Sequence, residues 1–259
     1  MSVWMRRIGT ALPWLAIAFV SCVIVLVVLL PASWVTPRFA RATQGHVNLI
    51  EPSGSLWHGS ATLMLAAGPD ASAATVLPGR VEWHTAFWPL FAGRVSMQLL
   101  LSDAMPDPVH IDASFDGATV SAGGIKSPAA LLSGLGAPFN TLDLQGDIHV
   151  TWTQWHLIRG NAFGGLTITL EDMISRVSPV KPLGSYRVVL QAQGAASTLD
   201  LSTLKGPLLL SGHGTIAGSG TSFHGEASST PEARDNLSGL LNLLGRPMGP
   251  GTVSLDYRR

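Results

Sequence analysis

The chain has 259 residues, a formal net charge of zero and only 12% charged side chains, so no field steers it toward nucleic acid. Its 46% hydrophobic content is too high for a disordered chain, and its 28 glycines and 17 prolines suit short strands joined by tight turns. The single cysteine, Cys22, lies in an apolar run, so the remaining residues hold together without a disulfide.

The first element in the chain is that run. Arg6 and Arg7 precede it, no charge occurs from residue 8 to residue 37, and residues 16–30 are almost purely Ala, Ile, Val, Leu and Phe. A helix rising about 1.5 Å per residue needs about 20 such residues to cross a hydrocarbon core. Pro13 and Pro31 fall near its ends, and Trp14 and Trp34 sit where an interfacial aromatic belt would be. A cleaved signal peptide fits less well. The run exceeds the usual apolar core of such peptides, and Ala40-Arg41-Ala42 is a poor cleavage site. The expectation is an uncleaved anchor: residues 1–9 cytoplasmic, 10–34 transmembrane, and 35–259 a β-rich domain outside the cytoplasm.

Beyond the anchor, apolar and polar residues alternate with period two. The apolar sets are Val95, Met97, Leu99 and Leu101; then Val109, Ile111, Ala113 and Phe115; then Leu142, Leu144, Ile148, Val150 and Trp152. Leu166, Ile168 and Leu170, then Tyr186, Val188 and Leu190, and last Val253, Leu255 and Tyr257 continue the pattern. One apolar and one polar face per strand predicts an antiparallel sheet covered on one side, and the spacings leave no room for helical crossovers. Two short helices interrupt it. Ser127-Pro128 opens one with Leu131, Leu132 and Leu135, closed by Gly136 and Pro138. Thr230-Pro231-Glu232 opens the other, with Leu237, Leu240, Leu241 and Leu244 at helical spacing before Gly245 and Pro247. Each helix follows a Phe-x-Gly strand, at Phe115 and at Phe223, which suggests loose halves over about 45–150 and 151–259.

Residues that could carry chemistry are dispersed. The eight histidines, His46, His58, His84, His110, His149, His156, His213 and His224, show no metal-ligand spacing, and no nucleophile elbow or phosphate loop occurs. Gly123-Gly124 and Gly218-Ser219-Gly220 read as turn glycines, with no helix following to form a phosphate cradle. Asp143 and Asp147 share a strand's polar face, where solvated carboxylates are the ordinary outcome. No catalytic, metal or cofactor site is expected, and the protein is expected not to be an enzyme. Trp57, Trp83, Trp88, Trp152 and Trp155 read as core or turn plugs. The stretch His84-Thr85-Ala86-Phe87-Trp88-Pro89 is the one where an exposed Trp would mark a partner surface or a dip into a bilayer.

Several segments in order resemble the type II secretion system protein N family, an inner-membrane component of the general secretory pathway in Gram-negative bacteria. They are Leu30-Pro31-Ala32 at the anchor's end, Gly54-Ser55-Leu56-Trp57-His58-Gly59, and Ser178-Pro179-Val180-Lys181-Pro182-Leu183-Gly184-Ser185-Tyr186. Phe223-His224-Gly225-Glu226-Ala227 and Leu240-Leu241-Asn242-Leu243-Leu244-Gly245-Arg246 complete the likeness. The resemblance implies a periplasmic domain that contacts other secretion subunits, of the inner-membrane platform or the secretin, while folded proteins are exported. It also implies likeness to AsmA-type proteins, whose anchored, curved sheets carry a greasy groove. Binding or transfer of lipid in such a groove is therefore the alternative reading.

Overall fold

The computed structural model describes residues 29–34, 36–68, 74–136, 139–218 and 220–258, together with Ser21 and Val25. Among them no helix is long and apolar enough to cross a membrane. The span expected over residues 10–34 lies for the most part outside the described residues.

The protein is mainly β. The first strands are β1 (Val47–Gly54), β2 (His58–Ala66), β3 (Ala74–Val76), β4 (Val81–Ala86), β5 (Arg94–Leu101), β6 (Val109–Ser114), β7 (Gly117–Val120) and β8 (Gly123–Pro128). There follow β9 (Leu144–Trp152), β10 (Trp155–Ile158), β11 (Asn161–Ser175), β12 (Gly184–Gly194), β13 (Ala196–Lys205), β14 (Leu208–Ala217) and β15 (Gly220–Ser229). The chain ends in three short strands, β16 (Arg246–Gly249), β17 (Thr252–Ser254) and β18 (Tyr257–Arg258). The helices are α1 (Thr36–Ala42), α2 (Phe139–Leu142) and α3 (Arg234–Leu244), with 3-10 turns at Trp88–Ala92 and Ala129–Leu135 among others.

All 18 strands belong to one sheet, and every pairing is antiparallel. Its topology is a meander in outline, except that β4 returns to β2 past β3 and that β15 pairs with β17 and β18, with β16 outside β17. β7 with β8, and β9 with β10, behave as two long kinked strands in a single register. Gly117 faces Ile158, Val120 faces Trp155, Gly123 faces Trp152 and Pro128 faces Asp147. Among the described residues the sheet is not closed: β1 pairs only with β2, and β16 only with β17. A meander of this kind needs only local turns, which is why the sequence shows turn residues and no crossover helices.

Two features bend it. β11 carries a bulge at residues 171–173, where Asp172 takes a left-handed φ of 47° and its N–H donates to the Ser185 hydroxyl at 2.9 Å. Large aromatic rings also fill the space that glycines leave on neighbouring strands. Trp83 lies over Gly59, Trp152 over Gly123, Trp155 over Gly164, and Phe223 over Gly212, Gly214 and Gly225. A Cβ at any of these glycines would press into a ring, so each ring can lie nearly flat on the sheet only because its neighbour has no side chain.

The expected alternation holds in part: Leu142 is the last residue of α2, Leu255 lies between β17 and β18, and Val95 and Tyr257 are exposed. Val109, Ile111 and Ala113 face inward along β6, but Phe115 leaves the strand. It opens the Phe115-Asp116 turn into β7 and is 96% exposed, because the hairpin reverses one residue before the pattern ends. The two Phe-x-Gly segments are therefore unlike, since Phe223 sits inside β15. Both expected helices are present. The first is a 3-10 turn at Ala129–Leu135 followed by the single turn of α2; the second is α3. Gly245 ends α3 in extended conformation, where a Cβ would strike the Ser254 carbonyl.

Candidate functional site

The apolar face of the C-terminal strands can be followed in rows running across the sheet. One row joins Ile148, Leu170, Tyr186, Thr203, Leu210, Ala227 and Val253. Four of its members are nearly inaccessible, and Leu237, Leu240 and Leu241 of α3 pack into the same cluster. Tyr186 is buried there, donates its hydroxyl to the Leu208 carbonyl at 3.1 Å, and is held well above the ordinary phenol range by that burial. Beneath α3 the lining of Leu142, Leu144, Met173 and Leu244 leaves an apolar void of about 120 Å³.

Two residues along each strand lies a second row, with Val150, Ile168 and Leu201, which still packs against this cluster. Two residues further comes a third row, Trp152, Leu166, Leu190, Leu199, Gly214 and Phe223. It faces the same way, but it is not part of the cluster under α3, and its large side chains are half-exposed. Cover thus fades along the strands, away from α3.

That less-covered end is where the chain enters the sheet. Pro31 bridges to Ser55, and the Leu56 N–H donates to the Leu30 carbonyl at 2.8 Å. Ala32 is buried against Ala61 and Trp83. The Gly54–Gly59 turn ties these parts together. The Trp83 indole N–H donates to the Ser55 carbonyl at 3.2 Å, Thr85 N–H to the Trp57 carbonyl at 2.7 Å, and the Thr85 hydroxyl to the Leu56 carbonyl at 3.2 Å. Gly54 supplies a φ of 81°, and its Cβ would meet the His58 carbonyl. The turn is a junction between the incoming chain, β1–β2 and β4.

Beside it stands a group of exposed aromatics. Trp57 meets Phe87 edge to face with centroids 5.0 Å apart, and Phe87 meets Phe91 at 5.4 Å and Trp88 at 6.0 Å. Trp88 is 80% exposed and Phe91 75%, on the 3-10 turn between β4 and β5, and the Phe115 ring lies against Gly93. The tryptophans expected as plugs therefore divide: Trp83 is buried and Trp57, Trp152 and Trp155 are half-buried, while Trp88 is on the surface. Of the stretch singled out by composition, His84 and Trp88 are exposed, Thr85 is buried, and Ala86, Phe87 and Pro89 are half-buried.

Residues 45–256 match the family model for the type II secretion system (T2SS), protein N. The chain belongs to the type II secretion system protein N family. Comparison with curated proteins and with solved structures found no match. Membership gives the protein a role in type II secretion, alongside other components of that system. The junction turn, the buried Leu183–Tyr186 entry to β12, and α3 all fall inside the family-matched residues.

On the polar face, the protein has a row that the sequence does not reveal. His213 and His224 face each other across β14 and β15. His213 Nδ1 lies 2.6 Å from Asp200, and His224 Nδ1 lies 3.0 Å from Asp256. The His224 contact holds the Asp256 carboxyl below its ordinary range. Only the strand register brings these four residues together, and their dispersal along the chain carries no signal of it. All four are well exposed, and no group of three or more His, Cys, Asp or Glu among the described residues could hold a metal ion. Asp143 pairs with Arg176 at 3.1 Å in the turn before β9, while Asp147 lies exposed within β9 facing Glu171. His110 is on an exposed strand position as expected, and His58 and His84 stack edge to face across β2 and β4 at 4.0 Å.

Proposed function

We propose that this protein is a single-pass inner-membrane component of the type II secretion machinery, with its N-terminus in the cytoplasm and its sheet in the periplasm. There it takes part in export of folded proteins by contacting other secretion subunits, of the inner-membrane platform or the secretin, and does no chemistry of its own. The observation that carries this reading is an open antiparallel sheet joined without a spacer to the end of a run long enough to span a membrane. An open sheet offers partners its edge strands, where main-chain groups can take an added strand, and its exposed side chains. At the C-terminal edge those side chains include Met248 and Tyr257.

A second reading, a groove that binds or transfers lipid, draws support from the half-exposed row of Leu166, Leu190 and Leu199. Photo-crosslinking in cells, with probes at Met248 and Tyr257, tests the first reading. Adducts to secretion subunits are expected. Adducts to phospholipid alone would overturn it in favour of the groove. A periplasm-dependent reporter fused after Arg259 that stays inactive would contradict the proposed orientation.

A further inference from the structure

The junction fixes a distance that the topology alone leaves open. Of the span expected over residues 10–34, Pro31 and Ala32 belong to the sheet junction, so the part left to cross a bilayer ends at Leu30, which is already hydrogen-bonded to Leu56 of the sheet. No linker intervenes, because Pro31 bridges to Ser55 and Ala32 is buried with Trp83. Whatever lies beside the Gly54–Gly59 turn is therefore held at the level where the span leaves the hydrocarbon.

The groups at that level are the ones an interface accepts. Trp88, Phe91 and Phe115 project from adjacent turns of the same sheet end, and Ile158, paired with Gly117 next to the Phe115 turn, is half accessible. Trp and other amphipathic aromatics concentrate where apolar and wet regions meet. Arg94 follows the 3-10 turn and Arg159 follows Ile158, both exposed and placed to reach lipid phosphates; Asp112 and Asp116 are the carboxylates beside them. An exposed patch of this composition beside a membrane span is accounted for by contact with lipid, whereas in water it would carry a solubility cost. The opposite end of β2, nine residues away at about 3.3 Å each, is out of reach of the interface.

Resting on the single-pass reading above, we propose that the sheet end bearing Trp88, Phe91 and Phe115 seats in the lipid–water interface of the bilayer that residues 10–30 cross. The domain then stands end-on to the membrane instead of swinging from it. Its strands rise away from the bilayer, and α3 lies at the distal end.

The full chain, with Cys22→Ser as background, is placed in nanodiscs of phosphatidylethanolamine and phosphatidylglycerol. A spin label is attached at Phe91→Cys, at Phe115→Cys, or at Asp107→Cys in the turn between β5 and β6 at the far end. Collision with oxygen, which concentrates in lipid, is compared with collision with a water-soluble nickel chelate. A several-fold higher oxygen-to-nickel ratio at 91 and 115 than at 107 is expected. Equal ratios at all three sites in loaded discs would overturn the interfacial seat and leave the single-pass reading standing. Shielding of 91 and 115 from both reagents, as in a protein interface, would overturn it too. Failure of the chain to enter the discs would overturn both readings.

Discussion

The two ends of the sheet are built from the same strands and the same alternation, yet α3 covers only one of them. At the distal end the apolar row through Ile148, Tyr186 and Val253 lies under Leu237, Leu240 and Leu241 of α3 and is nearly inaccessible. Four residues along each strand, at the end where Leu30 joins the sheet, Leu166, Leu190 and Leu199 have no such cover, and Trp88 and Phe91 are openly exposed. Alternation decides which face is apolar; it does not decide what covers that face. Where a helix follows β15, the face becomes a dry core. Where none follows, the face stays half-buried.

The largest expected effect separates the two ends directly. Leu237→Ala removes a side chain with no exposed surface and should lower stability by about 2–5 kcal/mol in denaturant unfolding. Leu199→Ala, half-exposed at the other end, should cost less than half as much. Equal losses would mean that the anchor-side row is packed as tightly as the core, which would break the comparison.

Glycines sharpen it from the opposite direction. Gly59→Ala drives a methyl group into the Trp83 ring and the Ser55 carbonyl at the junction, and should destabilise by about 1–3 kcal/mol. Gly239→Ala on the outer side of α3 meets nothing within 4 Å and should stabilise by about 0.5–1 kcal/mol through helix propensity. Thermal unfolding of the two variants checks both signs.

A smaller effect tests the dryness of the covered end. The Tyr186 phenol is raised by burial, so the stability tied to its neutral form is complete below the unfolded value of about 10 and is lost as pH rises beyond it. Tyr186→Phe should cost about 0.5–1.5 kcal/mol at neutral pH, through the lost hydrogen bond to Leu208, and should flatten the alkaline fall in stability. The smallest effect belongs to the polar face. Asp256 is lowered by its contact with His224, so any contribution it makes is present above the ordinary carboxylate range and fades as pH falls. That group is exposed, and Asp256→Asn should leave thermal unfolding unchanged at neutral pH.

Much of this arrangement is legible in the amino-acid sequence itself. Met97 to Leu101 and Leu144 to Trp152 carry their strand faces in their alternation, and Thr230 to Gly245 carries α3 by its leucine spacing. Phe115 misleads because a hairpin can reverse one residue before an apolar pattern ends, and local periodicity holds no record of where the chain turns. The aromatic–glycine pairs are equally hidden. Gly59 and Trp83 are far apart in sequence and meet only through the pairing of β2 with β4. The Asp200–His213–His224–Asp256 row likewise exists only in register. The exposed aromatics are half legible: Phe87-Trp88-Pro89 stands out by composition, whereas its place beside Leu30 depends on the junction hydrogen bonds.

The most direct test of the difference between the two ends is photo-crosslinking in cells from one strand face at two heights, with probes at Leu190 in the anchor-side row and at Leu210 under α3. Leu190 should yield adducts to other molecules, and Leu210 only links within the chain. Intermolecular adducts from both positions, or from neither, would contradict a face that the protein closes at one end and leaves for another molecule to cover at the other.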